Sequence, residues 1–238
     1  MIYTLNFDLL ATVLTTKSCA LSISLSSTYC FRDPLRPIKN NHDIIFSPSD
    51  GVIVDFATVT SSQDCIFGKY GNISLKEISY GMIPEGAYEV VSIFLTFYDV
   101  HIIRMPINGV VKRLKLPPYF VENRPMLSLE KDIMNSKFSL VRKELISCFA
   151  YNERVLYSIN DPSKEGNMFM VLTADYDIDT ILPFTSQIQA LKQNQRLASI
   201  RYGSMVTCIV PKQWNCKFVC KENIHIEAGI DALFMYEQ

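Results

Sequence analysis

Short runs of β-branched and aromatic residues, separated by Pro, Gly, Asn or Asp, recur through most of this 238-residue chain. Residues 44–46 and 52–54 are two such runs, and the Ser-Pro-Ser-Asp-Gly sequence between them is typical of a tight turn in which Gly51 adopts a positive φ. Residues 88–97 form a longer run of strand-forming residues. Many short strands with this punctuation predict a mainly β fold of the α+β class, built as one β-rich domain with a few short helices.

Other segments repeat the strand pattern, and two carry a helical one. Asn108-Gly109 lies between apolar runs and predicts a hairpin. Residues 75–78 and 187–197 are expected to be helical. Further strands are predicted at residues 145–159, 168–174, 206–210, 217–220 and 225–228. This order places Asp50 in a turn and His101 at or near the end of a strand.

Charge and cysteine content exclude several functional classes. The net charge is −1, from 23 basic and 24 acidic residues, so no charge field would gather nucleic acid or acidic lipid. The seven cysteines are odd in number and scattered, which predicts a reducing, cytoplasmic compartment. Cys216 and Cys220 have an i, i+4 spacing, but no second pair and no histidine stand at ligand spacing. We therefore expect no metal site.

Residues 1–28 form an apolar N-terminal segment that Lys17 divides into two parts. The apolar stretch falls short of the about 20 residues of a membrane-spanning helix, and it lacks the basic start of a signal peptide. Two interpretations remain open. The segment either packs against the domain formed by residues 29–238 or makes peripheral contact with a membrane surface.

The Gly203-Ser204 step near the C-terminus has the chemistry needed for self-cleavage. Glycine has no Cβ and tolerates unusual φ and ψ, so its carbonyl is the least crowded one for attack by the next serine hydroxyl. The attack gives an ester, and β-elimination followed by hydrolysis leaves an N-terminal pyruvoyl group, an electron sink made from the chain. Most Gly-Ser pairs are turns, so this step gains weight only from the rest of the chain.

Several short motifs accompany the Gly203-Ser204 step. In chain order they are residues 31–36 (FRDPLR), 46–51 (FSPSDG), 99–109 (DVHIIRMPING), 152–154 (NER) and 201–204 (RYGS). Together they resemble motifs of the phosphatidylserine decarboxylases, a family of pyruvoyl enzymes, over roughly residues 29–230. The resemblance is strongest to the short form of the family. It implies a β-rich fold that contains lipoyl-like hairpin elements.

Two departures from the family pattern concern the substrate. Arg104 stands where membrane-bound members carry a second histidine, as it does in the short forms. The acidic residues Asp175, Asp177 and Asp179 replace a stretch that is usually rich in glycine and valine. The resemblance therefore predicts the chemistry and leaves a lipid and a soluble amino acid both open as substrates.

The resemblance also implies roles for individual residues. Gly203 and Ser204 would be the cleavage site, giving two associated fragments and a pyruvoyl cofactor derived from Ser204. Asp50 matches the family's processing aspartate, and it would either act with His101 or act more directly on Ser204. His101, the only motif histidine left, suits protonation of the carbanion carbon during decarboxylation. Arg104 would hold a carboxylate or phosphate, and a surface ion pair is the alternative interpretation.

The activity that the resemblance implies is Schiff-base decarboxylation of phosphatidylserine to phosphatidylethanolamine, by a cytoplasmic enzyme in peripheral contact with the membrane. Cleavage would divide the chain into residues 1–203 and 204–238. Two alternatives remain: a pyruvoyl-dependent decarboxylase of a soluble amino acid, and an uncleaved, non-catalytic β-rich binding protein. Whether the chain forms a homodimer also stays open.

Overall fold

The structure, a computed structural model, describes residues 32–66, 73–96, 98–117, 152–174, 181–201 and 204–237. These residues form one short helix, α1 (Leu75–Ser79), a 3-10 turn at Lys212–Trp214, and sixteen strands, which confirms the prediction of a mainly β fold. The strands are β1 (Ile44–Phe46), β2 (Gly51–Val59), β3 (Cys65–Ile66), β4 (Ile73–Ser74), β5 (Tyr88–Leu95), β6 (Ile102–Arg104), β7 (Gly109–Lys115), β8 (Arg154–Asn160), β9 (Met168–Thr173), β10 (Ile181–Pro183), β11 (Ile188–Leu191), β12 (Arg196–Ile200), β13 (Ser204–Pro211), β14 (Cys216–Phe218), β15 (His225–Ile226) and β16 (Ala232–Tyr236).

The main sheet has eight antiparallel strands in the order β11-β7-β8-β9-β13-β5-β2-β15. Its two faces contribute to two separate cores, because side chains alternate along each strand. In β5, Val91, Ile93 and Leu95 share one core with the three-stranded sheets β10-β12-β6 and β1-β16-β14. Val90 and Phe94 point to the opposite core, which includes the apolar side of α1. We call the first of these the inner core.

The predicted turn between residues 46 and 52 is confirmed. Gly51 has a φ of 143°, and a Cβ at this position would lie 2.3 Å from the carbonyl oxygen of Phe94. Glycine is therefore required where β2 begins beside β5. The predicted helix at residues 75–78 is also confirmed, and a capping box between Ser74 and Glu77 fixes its start.

The predicted hairpin at Asn108-Gly109 is wrong. Strand β6, before this step, pairs with β12, whereas β7, after it, pairs with β8 and β11 in the main sheet. The chain therefore crosses between two sheets here. A Cβ at Gly109 would lie 2.6 Å from the carbonyl oxygen of Asn160, so glycine serves close approach to β8.

The predicted helix at residues 187–197 is also wrong. This segment forms β11, a turn, and β12. Ladder pairing with β7 and β6 overrides the helical composition, and Asn194 takes a left-handed φ of 71° in the turn. The Gln193 amide donates to the carbonyl oxygens of Asn41, Ile44 and Pro106, so it ties segments together and does not form a solvated helix face.

Residues 32–40 have no regular secondary structure, and we call them the N-terminal strap. Several sequence-based predictions lie outside the described residues: the apolar segment 1–28, residues 145–151, the acidic stretch 175–180, and Gly203. Over the part of the chain that the structure describes, no helix has the length and apolar character needed to cross a bilayer.

Candidate active site

The candidate residues meet at one end of the main sheet. Strand β5 ends at Leu95, which pairs with Ser204 at the start of β13. On the other side of β5, Val52 pairs with Phe94, so Asp50 lies just beyond the same end. Neighbouring strands are about 4.8 Å apart, so β2 and β13 run about 10 Å apart at this point.

The Ser204 side chain is completely buried, and its Oγ has no hydrogen-bond partner among the described residues. Along β13, Val206, Cys208 and Val210 belong to the inner core. Strand alternation directs Ser204 toward the same core. Buried hydroxyls are usually hydrogen-bonded, because a lost partner costs about 1–3 kcal/mol. Because Ser204 Oγ has no such partner among the described residues, it is available for a reaction.

His101 is also completely buried and reaches the same core. Its Nδ1 lies 2.9 Å from the carbonyl oxygen of Asp99. A carbonyl only accepts hydrogen bonds, so Nδ1 carries the hydrogen and Nε2 of the neutral ring is an acceptor. Nε2 has no partner among the described residues. Ile103 and Met105 belong to the inner core, and alternation places His101 on their side of the chain.

The electrostatic surroundings keep His101 neutral. Burial lowers the pKa of its imidazole below the usual 6.5, and the hydrogen bond to the Asp99 backbone and the charges of Asp99 and Asp50 only partly oppose this effect. At neutral pH, Nε2 is therefore ready to accept a proton. The main chain brings His101 close to the predicted cleavage step, because its carbonyl accepts a hydrogen bond from the Ile200 N–H at 3.1 Å.

Asp50 lies close enough for its charge to act on His101, and its carboxylate is hydrogen-bonded to other residues. Arg36 donates two hydrogen bonds to its carboxylate, Nη1 to Oδ1 at 2.5 Å and Nη2 to Oδ2 at 2.9 Å. The Ala228 N–H donates a third at 2.8 Å. The structure thus brings Ser204 and His101 to one core, whereas Asp50 acts on His101 through its charge.

The Arg104 side chain lies on the side of β6 that faces away from the inner core. Its neighbours Ile103 and Met105 face the inner core, whereas its guanidinium donates to Asp33 Oδ1 at 2.8 Å and to the carbonyl oxygens of Pro34 and Asn194, both at 3.2 Å. Burial lowers the pKa of Arg104 from its usual value, and the charge of Asp33 opposes this. In this arrangement Arg104 holds the N-terminal strap to the three-stranded sheet.

A family model for phosphatidylserine decarboxylase matches residues 24–233, which include every residue of this site. The chain belongs to the phosphatidylserine decarboxylase family. This membership places it among the carboxy-lyases.

Relatives of the chain are named as decarboxylase proenzymes. The phosphatidylserine decarboxylase proenzyme of Wolbachia pipientis is 35% identical over 196 residues, which cover 79% of this chain and 66% of the relative. A proenzyme of the same name from Ehrlichia chaffeensis is 27% identical over 200 residues, covering 82% of this chain and 71% of the relative. A protein of Methanocaldococcus jannaschii, named as a candidate archaetidylserine decarboxylase proenzyme, is 25% identical over 217 residues, which cover 89% of this chain and 91% of the relative. The aligned part of the chain spans about two thirds of the Wolbachia relative.

The candidate site contains two residues that the sequence did not lead us to select. Asp99 Oδ1 accepts a hydrogen bond from His225 Nε2 at 2.6 Å, and Asp99 Oδ2 accepts two from the backbone and side chain of Thr96. The bond to Asp99 raises the pKa of His225. Asp99 could have been found, because it precedes His101 in the same motif. Nothing in the sequence around His225 marks it.

The surroundings of Ser204 fit the pyruvoyl group that the sequence motifs imply. Conversion of a serine needs a hydroxyl that no structural hydrogen bond occupies, and Ser204 Oγ meets this condition within the part of the chain that the structure describes. It also needs a proton acceptor, and His101 Nε2 is a buried acceptor without a partner among the described residues, on the side of the chain that strand alternation directs to the same core. His101 and the Leu95 end of β5 would border the group after cleavage.

Proposed function

We propose that this chain is a proenzyme that cleaves itself between Gly203 and Ser204 and then decarboxylates the serine head group of a phospholipid. The observation that carries the proposal is a pair of buried atoms, Ser204 Oγ and His101 Nε2, that have no hydrogen-bond partner among the described residues and that strand alternation directs toward one core. The names of the relatives support the substrate class, since phosphatidylserine and archaetidylserine share a serine head group.

The first step is an acyl shift. His101 Nε2 removes the proton of the Ser204 hydroxyl, and Oγ attacks the carbonyl carbon of Gly203. The C–N bond breaks, and the departing nitrogen takes the proton back from His101. An ester then joins Gly203 to Ser204 Oγ, and Ser204 carries a free amine.

The second step releases the two fragments. Loss of the Ser204 Cα proton expels Gly203 as a carboxylate and breaks the Cβ–Oγ bond, leaving dehydroalanine. Addition of water and loss of ammonia convert this residue to an N-terminal pyruvoyl group. Residues 1–203 and 204–238 stay together, because β13 lies between β5 and β9 in the centre of the main sheet.

The pyruvoyl carbonyl supplies an electron sink for the substrate amine and its departing carboxylate. His101 Nε2, which is neutral in the resting site, takes up from solvent the one proton that decarboxylation consumes, and we assign to it the delivery of this proton to the carbon that loses CO₂. Burial lowers the pKa of His101, so its protonated form gives up a proton readily. The burial of Ser204 and His101 also excludes water from the reacting carbon.

Asp50 and Arg104 are assigned to support in this scheme. The charge of Asp50 raises the pKa of His101 against the effect of burial, and its carboxylate anchors Arg36. The role of Arg104 as a substrate ligand stays a prediction. It requires Asp33 to release the guanidinium.

Denaturing mass spectrometry of freshly purified protein tests the cleavage. We expect two fragments, the second beginning with a pyruvoyl group, and an intact chain for Ser204→Ala. A wild-type chain that stays whole would refute the proposal and favour a non-catalytic protein. The substrate is tested by product analysis with phosphatidylserine and with free amino acids. Ethanolamine phospholipid is the expected product, and release of CO₂ from a free amino acid alone would favour the soluble alternative.

A further inference from the structure

A second concave region lies on the outer side of β6, away from the inner core. It is a cavity of about 700 Å³ between the N-terminal strap and the segments around β10, β11 and β12. Arg36, Arg104 and Arg196 line it together with Asp33. The reaction scheme places no reacting group in this cavity.

Exposed apolar side chains surround the opening of this cavity. Leu35 is 96% exposed, Ile38 51% and Phe184 50%, and all three line the cavity. Ile188, close by on the edge strand β11, is 62% exposed. Single exposed apolar residues are common on protein surfaces, but a group around one opening marks an interaction site. We call Leu35, Ile38 and Phe184 the apolar rim.

The exposure of the rim is imposed by well-anchored neighbours. On either side of Leu35, Asp33 bonds Arg104 and Arg36 bonds Asp50. Further along the strap, the Asn194 amide donates to the Pro37 carbonyl at 2.6 Å. These contacts fix the backbone of the strap, so Leu35 is held outward.

The charges at the opening suit phosphate. The Arg196 side chain is 53% exposed, and its Nε bonds Asp33 Oδ2 at 2.5 Å. A guanidinium binds phosphate oxygens through paired hydrogen bonds. Apolar side chains beside an exposed arginine match the boundary of a bilayer, where acyl chains lie beneath phosphates.

We infer that the apolar rim and Arg196 form the face through which this protein docks on a phospholipid bilayer. Leu35, Ile38 and Phe184 enter the acyl boundary, and Arg196 contacts the phosphate layer. The inference rests on the proposed function, in which the substrate is a lipid. Arg36 lines the cavity and binds Asp50, whose charge acts on His101, so docking occurs beside the reactive end of the main sheet.

Flotation with vesicles of phosphatidylcholine and phosphatidylserine tests the inference. The full-length chain is compared with Leu35→Asp/Phe184→Asp and with Met82→Asp, whose residue is similarly exposed at 49% but lies beyond α1. All are made in the Ser204→Ala background, so binding is measured without turnover. The rim variant should bind at least about tenfold more weakly than its parent, and Met82→Asp should bind like its parent.

Two further variants sharpen the result. Leu35→Ser/Phe184→Ser removes the apolar surface without adding charge and should also lose binding, with an unchanged melting temperature as proof of folding. Arg196→Gln should weaken binding less and make it less sensitive to salt. Rim variants that float like the parent, with residues 1–28 holding the protein instead, would overturn the inference. A wild-type chain that forms no ethanolamine phospholipid would refute the proposed function and leave this binding comparison intact.

Discussion

Two buried polar pairs at the same end of the main sheet differ in how well their hydrogen bonds are satisfied. Asp50 accepts three hydrogen bonds, two from Arg36 and one from Ala228. Ser204 Oγ and His101 Nε2 have no partner among the described residues. The saturated pair is built for stability, and the unsaturated pair is left available for chemistry. Substitutions in the two pairs should therefore affect different measurements.

The largest effect is expected for His101→Ala. Loss of the only proton acceptor assigned to Ser204 should slow self-cleavage about 10²–10⁴-fold, the usual range for general base catalysis. The measurement is the appearance of the fragments by gel after the precursor is refolded from denaturant.

Two control variants define what this result means. His42→Ala changes an exposed histidine and should cleave at the wild-type rate. Ser199→Ala removes another buried hydroxyl that lacks a partner, and it should also cleave normally, because this serine lies outside the proposed pair. Cleavage of His101→Ala within a few-fold of wild type would remove His101 from the role of base.

Asp50→Asn should show the reverse pattern, a large loss of stability and a small loss of cleavage rate. Arg36 and Asp50 are 7% and 5% exposed, and removing one partner of a buried ion pair costs about 3–5 kcal/mol. Urea unfolding in the Ser204→Ala background measures this cost on one covalent chain. Cleavage should fall by less than about tenfold, because Asp50 only raises the pKa of His101.

A matched double substitution tests whether the cost belongs to the pair. In Arg36→Met/Asp50→Leu neither charge is left buried without a partner, so the double variant should be more stable than Asp50→Asn. If Asp50→Asn instead abolished cleavage while leaving stability unchanged, Asp50 would act directly on Ser204, as its motif implies.

The sequence indicated motif residues that the fold brings together, but it did not indicate the connections between strands. The motifs containing Ser204, His101 and Asp50 meet at one end of the main sheet, because each lies next to the start or end of a strand. The hairpin at Asn108-Gly109 failed because partner choice depends on long-range pairing that no local dipeptide encodes. The Asp99–His225 bond could not be foreseen, since it joins residues brought together only by folding.

A change of pH should have a moderate effect on the rate of cleavage. The base must be neutral, and burial lowers the pKa of His101 below 6.5 against the raising effects of Asp99 and Asp50, while Arg32 also lowers it. Cleavage should therefore lose half its rate only at a pH below 6.5. In Asp50→Asn this fall should begin at still lower pH. An ordinary imidazole would lose half the rate at about pH 6.5, and that result in wild type would contradict the assignment.

The smallest expected effect concerns His225, which binds Asp99 and would lie in the C-terminal fragment after the proposed cleavage, with Asp99 in the N-terminal one. The bond to Asp99 raises the pKa of His225, the charges of Asp99, Asp50 and Glu227 add to this, and burial opposes it. Because the folded pKa exceeds the unfolded one, the stabilisation is complete below pH 6.5 and is lost as pH rises through the folded value. The His225 side chain is 50% exposed, so the contribution should not exceed about 1 kcal/mol.

Urea unfolding of His225→Ala in the Ser204→Ala background should show a larger loss in the free energy of unfolding at pH 5.5 than at pH 8.5, with His42→Ala as the control. An equal deficit at both values would mean that His225 contributes packing and no charge, which would leave Asp99 with Thr96 as its main partner.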